Sequence, residues 1–179
     1  EAESILDLAT KRLGKSVSLN WHYRSKHPEL IRFSNHHFYS NRLLVFPSPT
    51  IKGTEAAIQH VKVRGIFQKG INVKEAEQVV FEAKKQMANF PDQSLGIVAM
   101  NLSQKDYIEA ELRRLADTDD VVKSYIDMWD GNVLDYPFVK NLERVQGDER
   151  DAIIISTVYA PLSEGGRVPQ RFPLINTIY

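Results

Sequence analysis

The sequence predicts an α/β domain in which a mainly parallel sheet is flanked by helices. Two short apolar runs, Leu95 to Met100 and Ala152 to Ile155, are too brief for most helices and rich in β-branched residues, as buried strands are. Segments between and before them carry apolar residues at helical spacing: Val73, Ala76, Val79, Val80, Ala83 and Met87, then Ile108, Leu112 and Leu115. The connections are also too long for hairpins, so the strands are expected to run parallel with helical crossovers.

The chain has 179 residues, the size of one domain, and folding would bury roughly 70% of the surface of its unfolded chain. A single domain over 1–179 is expected, with 1–20 as a lead-in helix and strand and 160–179 as a loop-rich tail. The balance of 23 basic and 23 acidic residues excludes the basic excess of a free-standing nucleic-acid binder, so any such contact should use a local groove shared with another domain. No apolar run approaches the ~20 residues of a membrane span and no signal peptide is recognisable. The expected compartment is cytoplasmic, with no membrane partner. The absence of cysteine agrees, and removes disulfides and thiolate metal sites.

Taken in order, Glu1 to Leu13 reads as a helix stopped by Gly14, and Val17-Ser18-Leu19 as a short strand. Gly14-Lys15-Ser16 is not a phosphate loop, because Ala9 stands where a glycine is required and a helix precedes it where a strand is needed. Pro28 opens a second helix, ending around Ser40-Asn41, and Leu43 to Lys52 is an extended loop. Ile58 to Val63 alternates as a strand. Asn72 and Glu75 form a capping box for a helix to Asn89, Ser103 caps another to Ala116, and Val121 to Trp129 adds a third. Phe138 to Lys140 is a strand, and a turn at Leu142 to Val145 leads to the last one, Ala152 to Tyr159.

Two polar stretches carry the chemistry. In Trp21-His22-Tyr23-Arg24-Ser25-Lys26-His27-Pro28, Arg24 supplies a permanently charged planar fork that matches phosphate oxygens, beside the bulk of Trp21 and Tyr23. In Val145-Gln146-Gly147-Asp148-Glu149-Arg150-Asp151, Gly147 permits a turn that a side chain would block, Glu149 offers an acceptor, and Asp151 caps or pairs at the start of the strand. The five histidines match no common zinc spacing, and no metal site is expected.

In this order and separation, the two stretches resemble the second motor domain of superfamily 1 helicases, in the group of the nonsense-mediated-decay RNA helicases and their bacterial relatives. The resemblance spans about Glu3 to Asn176. It implies a RecA-like three-layer domain, a P-loop NTPase-like fold without its own phosphate loop. It also implies that Arg24 contacts the γ-phosphate of ATP, that Tyr23, Gln146, Gly147 and Glu149 bind the nucleotide, and that Asn101, Gln104, Ser156 and Thr157 face nucleic acid. ATP and Mg2+ would act in the full-length protein, with none bound to this chain. The implied partners are single-stranded DNA or RNA and the first RecA-like domain of the same polypeptide.

Neither an acidic Mg2+-binding motif nor the family's last arginine run is found, so a fragment of a longer motor is expected, inactive alone as an ATP hydrolase. If both stretches face ATP, Arg24 and the Gln146 to Glu149 turn should share one face. Two rivals make different demands. A degenerate nucleic-acid- or protein-binding module would lack an upstream phosphate loop, and an unrelated α/β enzyme would enclose a deep pocket within this chain.

Overall fold

The computed structural model describes residues 4–14, 17–18, 20–25, 27–45, 56–132 and 134–168. The chain divides into two compact units, Glu1–Val61 and Lys62–Tyr179.

In the first unit, helix α1 (Ile5–Leu13) begins where Ser4 accepts the Asp7 amide and ends at Gly14, whose φ of 65° lets its N–H reach the Thr10 carbonyl. That ending makes Gly14 the helix stop expected of it, while Lys15 and Ser16 lie outside the described residues. Strand β1 (Trp21–His22) pairs in parallel with β2 (Leu44–Val45), and α2 (Pro28–Phe38) lies between them in sequence. Pro28 occupies the first turn of α2 as expected, and His27 Nδ1 caps it by accepting the Glu29 amide. Asn35 ties this helix to the second strand through two bonds, to the Leu43 carbonyl and from the Leu43 amide.

Two expectations are corrected here. The first strand is Trp21–His22, since Val17 and Ser18 belong to no strand and Leu19 lies outside the described residues. The extended segment after Leu43 contributes a strand at Leu44–Val45, while 46–55 lie outside the described residues.

The second unit is built on a three-stranded parallel sheet in the order β4 (Phe138–Asn141), β3 (Leu95–Ala99), β5 (Ala152–Ser156). Helix α3 (Val73–Asn89) precedes the central strand, and α4 (Leu102–Ala116) and α5 (Asp120–Trp129) form the crossover to β4. This is the α/β architecture with a parallel sheet and flanking helices that the apolar runs predict. The helical stripes meet the sheet in one core: Ala76, Val79, Ala83 and Met87 of α3, Ile108 and Leu112 of α4, and Val122 and Tyr125 of α5 pack on Leu95, Ile97 and Ala99. Burying each of the larger of these side chains contributes about 1.5–3 kcal/mol.

Ile58 to Val63 does not join this sheet. Ile58 and Val61 are exposed and the segment has no strand partner among the described residues. Alternation there reflects an extended chain, and extension alone does not supply a ladder. The last strand also stops early, at Ser156, because the backbone turns sharply at Val158, where φ is 70°.

Candidate nucleotide and nucleic-acid sites

Arg24 and Tyr23 sit in a tight turn of the first unit. His22 Nε2 lies 2.8 Å from Ser25 Oγ and accepts the Ser25 amide at 3.1 Å, which closes the chain around the two residues between them. Both Tyr23 and Arg24 are exposed. Restriction of His27 by the following proline shows directly, since its backbone is extended at φ −125° and ψ 134°.

The second stretch belongs to the other unit. Leu142–Arg144 forms a single 3-10 turn, after which Asp148 N–H bonds the Val145 carbonyl at 3.0 Å with Gly147 at φ 88°. The positive φ is the reason a glycine is needed, and Gln146 and Glu149 are left exposed on either side of it. Asp148 turns inward to accept Lys140 Nζ at 2.6 Å, which fastens the turn to β4. Arg150 lies over the Phe138 ring at 4.7 Å and donates to the Tyr136 carbonyl at 2.9 Å. Asp151 accepts both the amide and the hydroxyl of Ser94, at 3.1 and 2.9 Å, joining the starts of β3 and β5. Its expected role at the strand start is therefore what the geometry shows.

The residues expected at the nucleic-acid face fall into two kinds. Asn101, not Ser103, caps α4: its Oδ1 accepts the Gln104 amide at 2.8 Å, and its Nδ2 donates to the Gly70 carbonyl at 3.0 Å. Ser103 is the second residue of the helix and exposed. Gln104 is fully buried, accepting the Asn72 amide and donating to the Asn72 carbonyl and to Ser156 Oγ. Its side chain is thus committed inside the protein, joining α3, α4 and β5. Ser156 is buried as well, whereas Thr157 is exposed.

Sequence reasoning missed what holds this edge. Glu75 forms its half of the expected capping box through its backbone, since Asn72 Oδ1 accepts its amide. The carboxylate, however, reaches across to the end of β5, where Oε1 accepts Ser156 Oγ, Thr157 Oγ1 and Val158 N–H. The signal available in sequence was an Asn-x-x-Glu start to a helix whose partner strand ends in Ser-Thr, which fixes no long-range contact.

One open-sided groove of about 560 Å3 runs between α4, α5 and the start of β4, lined by Leu112, Arg113, Ile126 and Pro137 among others. None of the residues expected to bind nucleotide or nucleic acid lines it. Among the described residues no group of three His, Asp or Glu side chains is placed to hold a metal ion, and no helix is long and apolar enough to cross a membrane.

Comparison with known proteins adds family and relatives. An uncharacterized ATP-dependent helicase of Mycoplasma genitalium is 32% identical over 200 residues, covering 98% of this chain and 17% of that protein. Its homologue in Mycoplasma pneumoniae is 32% identical over 201 residues, covering 97% of this chain and 17% of its own length. The chain therefore spans about a sixth of the length of these relatives. A family model described as an AAA domain matches residues 2–168, a stretch that takes in both polar motifs and all five described strands, and on that match the chain belongs to the AAA domain family.

Proposed function

We propose that this chain is the second motor domain of a superfamily 1 ATP-dependent helicase, contributing Arg24 and the Gln146 to Glu149 turn to an ATP site whose other wall is the first RecA-like domain of the same polypeptide. The observation that carries this reading is the exposed turn at Gly147, fastened through Lys140 and Asp148 so that Gln146 and Glu149 are presented outward. Similarity to ATP-dependent helicases over nearly the whole chain supports it.

In this mechanism ATP is the substrate. Arg24, on its exposed turn, directs a planar fork at the phosphoryl group being transferred, where charge spreads over the equatorial oxygens and electrostatic stabilisation does most of the catalysis. Glu149 accepts from sugar hydroxyls, Gln146 connects the nucleotide to the strand that follows, and Tyr23 packs beside the nucleotide. Mg2+ would bridge the phosphates of ATP in the full-length protein; among the described residues no cluster of three His, Asp or Glu side chains is placed to hold it. Single-stranded DNA or RNA lies at the carboxyl edge of the sheet, near the α4 cap at Asn101 and the exposed Thr157. Gln104 and Ser156 serve this edge from the interior.

Kinetics of the full-length protein test the nucleotide role of the turn. Glu149→Ala should raise KM for ATP about tenfold, as expected for removing a charged acceptor from a bound hydroxyl. An unchanged KM would remove Glu149 from the site.

A further inference from the structure

We propose that Glu75 is a positioning residue for the nucleic-acid edge: it holds Thr157-Val158-Tyr159 in a strained left-handed turn and so presents the Thr157 side chain in one geometry. The proposal rests on the reading of Thr157 as part of the single-strand track.

Val158 is the observation that demands an explanation. It is β-branched, fully buried and held at φ 70°, a region that costs a branched residue dearly. Tyr159 N–H bonds the Thr157 carbonyl at 2.8 Å across it, which makes the segment a γ-turn of the rare strained kind. Nothing in a strand ending produces this shape, so something must impose it.

A single carboxylate oxygen is placed to do so. Glu75 Oε1 accepts from three successive residues, Ser156 Oγ at 2.9 Å, Thr157 Oγ1 at 3.4 Å and Val158 N–H at 2.9 Å. The other oxygen accepts Asn72 Nδ2 at 3.0 Å, which fixes the carboxylate to the helix start. Ser156 Oγ is in turn held by Gln104 Nε2 at 3.2 Å. Ser156 and Val158 are buried, Tyr159 is half-buried and Thr157 is exposed, so the clamp orients the most accessible residue of the turn. Glu75 acts through Thr157 and need not touch the strand itself.

The test uses the full-length protein, a fluorescent oligo-dT or oligo-U at fixed salt, and amide exchange. Glu75→Ala should weaken oligonucleotide binding about tenfold or more, since strain of this kind must otherwise be met from binding. Val158→Gly in the same chain should restore it to within about threefold, because glycine adopts φ 70° without a clamp. A residue that merely stabilised α3 would not be rescued in this way. Glu75→Gln, which keeps the shape of the side chain, should speed exchange of the Val158 amide about tenfold while leaving the amides of mid-α3 protected. Unaltered Val158 exchange in Glu75→Gln, or a folded double variant that still binds weakly, would overturn the proposal. If the wild-type protein binds neither oligonucleotide, the track reading fails, and the exchange result alone decides whether Glu75 sets the turn.

Discussion

Gly96→Ala probes how tightly β4 and the connection leading into β5 are packed on the central strand. A Cβ at position 96 would lie 2.7 Å from Phe138 Cζ, 3.0 Å from its Cε2 and 3.3 Å from Arg150 Cγ. The ring has little room to retreat, because Lys140 Nζ stands 4.8 Å and the Arg150 guanidinium 4.7 Å from its centroid, and Arg150 is tied to the Tyr136 carbonyl. Overpacking of this kind costs about 1–3 kcal/mol, and the ordinary gain of alanine over glycine in a strand returns about 0.5–1 kcal/mol. The net expectation is a loss of about 1–2 kcal/mol, read as a lower urea midpoint at unchanged slope. Phe138→Leu removes the clashing ring, so the alanine should cost almost nothing in that background, a coupling of about 1 kcal/mol or more. A neutral or stabilising Gly96→Ala, or strictly additive variants, would refute the packing argument.

Three other outcomes follow from the same geometry. Tyr125, buried and donating to the Gln93 carbonyl at 2.6 Å, has its hydroxyl pushed up to about 12 by burial and then by the nearby Asp151 charge. The unfolded chain ionises first, so its contribution is complete below pH ~10 and is lost between about 10 and 12, at most about 2–3 kcal/mol; Tyr125→Phe should flatten that alkaline loss in urea titrations. Asp119 caps α5 through the Val121 and Val122 amides, and its hydrogen bond with Lys84 leads the causes holding its carboxyl below the usual range. Its contribution is present above its unfolded pKa and is lost as pH falls below about 4, a dependence that Asp119→Asn, still able to cap, should weaken in acid unfolding curves. The 179-residue chain alone should show no nucleic-acid-stimulated ATP turnover, since it has no Gly-x-x-x-x-Gly-Lys-Ser/Thr loop to cradle the phosphates; turnover by the pure chain would contradict this.

Local chemistry was legible where it acts over a few residues. The stripe of α3, the Asn72 cap, the proline opening of α2 and the continuous apolar run of β3 all correspond to features in the structure. Ile58 to Val63 was misleading because an alternating pattern describes an extended chain but cannot supply a neighbour to pair with. The two-residue pairing of Trp21–His22 with Leu44–Val45 was invisible for the converse reason, being fixed by contacts distant in sequence. Polar residues proved hardest to assign. Ser103 reads as the α4 cap, yet the fold sets the cap two residues earlier, at Asn101. Gln104 reads as a surface residue, yet every part of its amide is used inside a network that no local pattern announces. Glu75 shows the same limit, since its backbone role was readable and its reach to Val158 was not.

The most direct measurement of the central claim is nucleic-acid-stimulated ATP turnover by the full-length protein carrying Arg24→Ala. Arg24 lies exposed on a short turn closed by His22 and Ser25, so its removal should leave the fold intact. Loss of an arginine that stabilises phosphoryl transfer typically costs about 10³ or more, which predicts a fall in kcat of several hundredfold or beyond. Arg24→Lys should recover little of it, because a point charge does not reproduce the planar fork. Near-normal turnover by a folded Arg24→Ala protein would contradict the assignment of Arg24 to the γ-phosphate.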